Sequence, residues 1–72
     1  MEDAKSKFLK RFGQSIQESR KRQNLSQEKL AAKADIERSY MGRIERGESN
    51  PPIYTVHKIL HALGISSAEL HI

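Results

Sequence analysis

An all-α bundle of five short helices is the fold this sequence predicts, and three observations predict it. Apolar residues recur every three or four positions, no segment alternates apolar with polar residues as a half-buried strand would, and both prolines stand together at Pro51-Pro52. With 72 residues and no cysteine, residues 1–72 read as one small domain without disulfides, and oligomerisation is the remaining way to add stability. No internal repeat or linker is visible. No apolar run approaches the roughly 20 residues that cross a bilayer, and the charged start Met1-Glu2-Asp3-Ala4-Lys5-Ser6-Lys7 leads into no apolar signal segment, which predicts a cytoplasmic protein without membrane contact.

Each element has its own signal. Phe8, Leu9, Phe12 and Ile16 fall at helical spacing, with Lys5, Lys10, Arg11, Glu18 and Lys21 on the other faces, so residues 4–22 read as an amphipathic first helix. Gly13 weakens its middle by about 1 kcal/mol relative to alanine. Gln23 and Asn24 break the pattern. Ser26 is then placed to cap a second helix over about 27–34, although Lys29 stands where a full capping box has Glu or Gln. That helix turns Leu30, Ala31 and Ala34 inward and Lys29, Ala32 and Lys33 outward. Asp35-Ile36 interrupts it, and residues 37–46 resume as a third helix with Met41, Ile44 and Ile36 on one side, stopped by Gly47. Gly47-Glu48-Ser49-Asn50-Pro51-Pro52 is turn chemistry throughout. Ile53, Val56, Leu60 and Leu63 mark the inner face of a fourth helix ending at Gly64, and Ser66 caps a last turn through Leu70.

The middle of the chain carries the most specific signal. A helix of about eight residues, a tight turn at Asp35 and a helix with Arg38, Ser39 and Arg43 outward form a helix-turn-helix layout over about 26–46. Ala31 is small where the two helices cross, and Leu30, Met41 and Ile44 fill the angle between them. The exposed N-terminal half of the third helix is then free to enter a major groove. Charge agrees: the net +4 is unevenly spread, with 12 basic and 7 acidic side chains in residues 1–47 against 1 and 2 in residues 48–72. A polyanionic partner such as nucleic acid fits the first part, and the less basic remainder fits another kind of contact.

The segments Leu25-Ser26-Gln27-Glu28-Lys29-Leu30-Ala31, Ile44-Glu45-Arg46-Gly47, Asn50-Pro51 and Ala62-Leu63-Gly64-Ile65-Ser66 resemble the Cro and phage-repressor type of helix-turn-helix proteins, the Xre family, over about residues 9–70. Within that family, Arg38-Ser39-Tyr40 ahead of Ile44-Glu45-Arg46-Gly47 is most similar to the controller proteins of restriction-modification systems, small dimers that regulate transcription of their own operon. The resemblance implies that Ser26 and Gln27 bind a phosphate at the start of the second helix, and that Glu37, Arg38, Ser39 and Arg43 face base edges. It implies that Arg20 and Glu45 pair to tie the first helix to the end of the third, and that Arg46 touches the DNA backbone. Asp35 occupies the turn position where the family commonly has glycine, and Gly42 is unusual inside a recognition helix.

The residue types support these roles to different degrees. Arg38 and Arg43, five residues apart on adjoining faces, each have the guanidinium fork that pairs with guanine O6 and N7, and each is also an ordinary solvated arginine. Ser39 can bond a base or a phosphate, or be plain helix surface. Tyr40 can reach a phosphate or cover the core beside Met41. Glu37 can accept from cytosine N4, or favour the helix N-terminus through the macrodipole. Lys21 and Arg22 fit phosphate attraction.

Tyr54, His57, His61, Ile65, Leu70 and Ile72 make the C-terminal region, about 53–72, the expected dimer surface. His57 and His61 stand four apart, a spacing that can bind zinc, but no cysteine or carboxylate within that helix completes a site, so neither metal nor other cofactor is expected. No nucleophile with a base, no carboxylate cluster and no phosphate-cradling glycine loop is present, which argues against an enzyme, and no ligand-binding domain accompanies the motif. The expectation is a homodimeric, sequence-specific transcriptional regulator on double-stranded palindromic operator DNA, acting by blocking or recruiting RNA polymerase. The alternative is an antitoxin or adaptor that uses the same fold to hold a protein partner.

Overall fold

The computed structural model describes residues 3–70, which form four α-helices and one 3₁₀ turn: α1 (Ala4–Arg22), α2 (Gln27–Ala34), α3 (Arg38–Glu45), α4 (Ile53–Leu63) and the turn Ser67–Glu69. No strand occurs among the described residues. The expected fifth helix is therefore only one turn. Ser66 N–H donates to Glu69 Oε2 at 2.8 Å and the Glu69 N–H returns to Ser66 O at 3.1 Å, after which Leu70 leaves in extended backbone.

The helix ends follow from local chemistry. Asp3 caps α1 by accepting from Ser6 N–H at 2.8 Å, and Ser26 caps α2 by accepting from Lys29 N–H at 3.0 Å. The chain then reverses after each α-helix through a left-handed residue: Asn24, Asp35, Gly47 and Gly64, with φ between 57° and 76°. Asn and Asp tolerate that region better than other side chains, so Asp35 fills the glycine position without changing the turn. Its carbonyl also accepts from Lys58 Nζ at 3.1 Å, which ties the turn to α4.

The core gathers one stripe from each helix. Ile16, Leu30, Met41, Ile44 and Ile59 are fully buried, with Phe12, Ala31, Ala34 and Leu63 around them. Ala31 and Leu30 pack where expected, and so do Val56, Leu60 and Leu63 of α4, but that face is rotated to centre on Ile59 and leaves Ile53 out. Ile59 and Leu63 are buried with Val56 and Leu60 beside them, whereas Ile53 is 83% exposed. At 100° per residue, a face centred on Ile59, Leu63 and Val56 leaves Ile53 at its border, on the first turn, where no neighbour covers it. Phe8 is likewise 50% exposed near the start of α1.

Gly13 has a packing reason that its helix propensity conceals. A Cβ there would press on the carbonyl oxygen of Ile44 and sit 2.5 Å from that of Glu45, so α1 crosses the end of α3 at backbone distance. Gly47 closes α3 against the same helix, with its Cα hydrogens turned toward Lys10, whose Cα lies 2.8 Å from where a Cβ would stand.

Candidate nucleic-acid interface

That close crossing places Arg20 of α1 beside Glu45 of α3. Arg20 Nε donates to Glu45 Oε2 at 2.8 Å and Nη2 to Oε1 at 3.0 Å, with both side chains buried, while Nη1 donates to Leu25 O at 2.8 Å. A buried carboxylate is tolerable only when its lone pairs are satisfied. Gln27 completes the set, its Nε2 donating to Glu45 Oε1 at 3.0 Å. One network thus joins the end of α1, the start of α2 and the end of α3. The family resemblance implied the Arg20 and Glu45 pair; Gln27's membership was missed, because only the tertiary structure brings its amide to Glu45.

The N-terminus of α2 stands next to this network. Ser26 Oγ accepts the Lys29 N–H, leaving the amides of Gln27 and Glu28, the first two of the helix, without an intrahelical acceptor and the Ser26 hydroxyl hydrogen available to donate. Those groups at a helix N-terminus suit an anion. The Gln27 amide NH₂ is held by Glu45, so the part of Gln27 best placed for a phosphate is its backbone N–H. Lys21 and Arg22 are exposed on the last turn of α1, a few residues upstream.

Helix α3 turns Arg38, Ser39 and Arg43 outward, all exposed, while Met41 and Ile44 face the core. Glu37 is the N-cap residue of α3 and makes no side-chain capping bond, so its exposed carboxylate is unrestrained. Tyr40 is half-buried against the core, and the Arg43 guanidinium lies 5.5 Å from its ring centroid, a cation–π contact that limits where the arginine can point. Of the roles the sequence left open, the structure shows that Tyr40 covers core, with its other edge bordering the outward face. Glu37, Tyr40 and Arg43 also rim a surface cleft with Asp35, Ile36, Thr55 and Lys58, of which Thr55 had no signal in sequence.

Gly42, within α3, faces the start of α2. A Cβ there would be 3.1 Å from Arg46 Nη1 and 3.6 Å from Gln27 Oε1, so this glycine makes room for two side chains of the outward surface. Arg46 is exposed and bidentate with Glu48, Nε to Oε2 at 3.0 Å and Nη2 to Oε1 at 3.2 Å. The pairing raises Arg46 above its ordinary pKa and holds the Glu48 carboxyl below the usual carboxylate range, first through the hydrogen bond and then through the charges of Arg46 and Arg43.

On the other side, α4 presents Tyr54, His57 and His61 as a ladder of rings, with centroids 6.1 Å and 6.0 Å apart and planes within 23°. Lys58, whose position four residues after Tyr54 and three before His61 puts it on the same outward stripe, lies over the Tyr54 ring and donates to the Asp35 carbonyl at the surface. Ile65 and Leu70 are half-buried; Ile72, expected on this surface, and His71 lie outside the described residues. Beside this face an apolar cleft of about 220 Å³ opens between α1 and α4, lined by Phe8, Phe12, Pro51, Ile53, Leu60 and Leu70 among others. Among the described residues no group of three or more His, Asp or Glu gathers as a metal site, and no helix is long and apolar enough to cross a membrane.

The arrangement matches known proteins. A family model described as helix-turn-helix matches residues 16–70. The control protein C.BamHI of Bacillus amyloliquefaciens is 42% identical over 60 residues, covering 82% of this chain and 74% of that protein. The crystal structure of the restriction-modification controller protein C.AhdI from Aeromonas hydrophila superposes with a TM-score of 0.85 at 41% identity, over 89% of this chain and 97% of that one. The controller protein C.Esp1396I, solved as a tetramer in complex with its natural 35 base-pair operator, matches with a TM-score of 0.80 at 28% identity, over 93% of this chain and 84% of that one.

Proposed function

This chain belongs to the helix-turn-helix family that includes the restriction-modification controller proteins, and from that premise we propose that it is a sequence-specific, DNA-binding transcriptional regulator, the controller protein of such a system. Residues 1–72 act as one DNA-binding domain, and the mechanism involves no covalent chemistry. The observation that carries the reading is the outward set Arg38, Ser39 and Arg43 on α3, held at a set angle to the open N-terminus of α2 by the Arg20, Glu45 and Gln27 network. Helix α3 enters a major groove, where Glu37, Arg38, Ser39 and Arg43 read base edges. The helix N-terminus at Ser26 and Gln27, together with Lys21, Arg22, Tyr40 and Arg46, holds the sugar-phosphate backbone.

Two copies bind an inverted repeat with half-sites about one helical turn (~34 Å) apart, and regulation comes from blocking or recruiting RNA polymerase. The self-association surface is the α4 face, with Tyr54, His57, His61, Ile65 and Leu70. Support for it comes from the exposed Ile53 and the apolar cleft, which leave apolar area bare on the side with little net charge.

The test is selection of bound sequences from a random duplex library, with complexes sized by ultracentrifugation. A recovered palindrome carrying two chains is the expected result; binding with no enriched sequence would end the sequence-specific reading. On the recovered site, Arg38→Ala should cost about 1 to 3 kcal/mol and spare non-specific DNA. If each protomer neutralises roughly four phosphates, log K against log salt should fall with a slope of about −7 for the dimer.

A further inference from the structure

Among the described residues, Glu48 is the one acidic side chain set in direct contact with the outward arginines, and nothing in the proposed DNA contact uses it. Its backbone is pinned: Glu48 N–H donates to Arg43 O at 2.9 Å and Gly47 N–H to Ile44 O at 3.0 Å, with Gly47 left-handed between them. The helix stop therefore delivers the Glu48 carboxylate to the Arg46 guanidinium, which it engages through two parallel bonds at 3.0 and 3.2 Å. A fork-to-fork carboxylate pair has the geometry of an arginine-phosphate contact. Both side chains are more than half exposed, at 57% and 54%, so the pair is open to exchange with an anion from solution.

We infer that Glu48 is an internal competitor for DNA phosphate at Arg46: the free chain holds Arg46 on a phosphate-like carboxylate, and binding to any duplex must first exchange one anion for another. The inference rests on the DNA-binding reading above. Because Arg43 adds to the field at Glu48, the carboxylate also offsets part of the positive potential at that end of α3. With the Glu48 carboxylate left beside the contact, Arg46 brings less net positive charge to the duplex, so fewer of the cations condensed on DNA are released. Glu48 thus lowers affinity for all DNA and flattens its salt dependence.

The experiment measures binding of a mixed-sequence 35 base-pair duplex as a function of salt for four proteins, the parent, Glu48→Gln, Arg46→Ala and the double variant, with Ser26→Ala and Lys21→Ala measured alongside as reference backbone contacts. Glutamine keeps the size of the side chain and removes the charge. Exposed pairs of this kind are weak, so Glu48→Gln should tighten binding by about threefold per protomer and steepen the salt slope by up to about one per protomer. Arg46→Ala should weaken binding, and in that background Glu48→Gln should have no effect.

Equal tightening in both backgrounds would show a general removal of negative charge and overturn the competition. Weaker binding by Glu48→Gln alone would make Glu48 a positioning residue for Arg46 and overturn it too. If Arg46→Ala changes nothing while Ser26→Ala and Lys21→Ala still weaken binding, Arg46 is off the backbone and this inference fails by itself. If none of the variants affects binding, the DNA-binding surface itself is misplaced. Thermal unfolding of all four should coincide within a few degrees, as both residues are on the surface.

Discussion

Replacing Gly13 by alanine tests the way the helices are held together. From helix propensity alone, glycine to alanine within a 19-residue helix should stabilise by about 1 kcal/mol. The tertiary structure reverses the sign. The new Cβ would sit 2.5 Å from Glu45 O and 2.8 Å from Glu45 C, where ordinary contact begins at 3.4 Å, so α1 and α3 must part by nearly 1 Å. The obstacles are backbone atoms, and no rotamer change relieves them. Overpacking of this kind costs about 1 to 3 kcal/mol. The same displacement stretches the Arg20 and Glu45 bonds from 2.8 and 3.0 Å toward the limit of hydrogen bonding, weakening a buried pair whose rupture costs about 3 to 5 kcal/mol. With the propensity gain subtracted and the pair only partly lost, the expected net loss is about 3 kcal/mol, or roughly 12 to 24 °C in Tm for a domain of this size. Gly42→Ala is the internal control, because its Cβ meets only the movable ends of Arg46 and Gln27 at 3.1 and 3.6 Å. It should be neutral or stabilising by up to about 1 kcal/mol. The assay is urea and thermal unfolding followed by circular dichroism at 222 nm. A Gly13→Ala variant as stable as Gly42→Ala would refute the backbone crossing of α1 on α3.

Three other outcomes are expected. Arg20→Met should cost about 3 kcal/mol by stranding the Glu45 charge, and Arg20→Met with Glu45→Leu should recover most of it; equal losses in urea unfolding would assign the cost to packing instead. Ile59→Ala should lose about 2 to 5 kcal/mol of stability, whereas Ile53→Ala should leave stability nearly unchanged and weaken self-association in sedimentation equilibrium; the reverse pattern would restore Ile53 to the core. The Asp3 carboxyl is held below its ordinary 3.8 by the Ser6 backbone N–H, so its capping contribution is fully present above that value and lost as pH falls through the lower folded-state pKa; an NMR titration midpoint at or above 3.8 would contradict the cap.

Much of the fold was legible because it rests on local rules. The bounds of α1, α2 and α4 follow from a 3.6-residue apolar period, from Ser26 as a cap and from Gly64 as a stop, and the end of α3 from Gly47, each of which acts through neighbours in the chain. The core of the motif, Leu30, Ala31, Met41 and Ile44, was legible for the same reason. Ile59 was not, because several apolar residues crowd α4 and periodicity alone admits two overlapping faces; which one is buried depends on where α1 and α2 stand. Of the candidate interface, the outward position of Arg38, Ser39 and Arg43 follows from their being off the apolar stripe.

What the sequence by itself determined is the set of helices, their caps and the charge that separates the two ends of the chain, since hydrogen bonds three to five residues apart and amphipathic period decide these before any helix meets another. What only the tertiary structure decided is every relation between residues distant in the chain. Gln27 joined Arg20 and Glu45, Lys58 reached across the surface to Asp35, and Gly13 changed from a weak point in a helix into the place where two helices touch. Glu48 is close in sequence to Arg46, but it is the left-handed turn at Gly47 that brings the carboxylate back along the helix to meet it. Such contacts depend on the angle and distance between packed helices, quantities fixed by the fit of side chains across the core and absent from any local pattern.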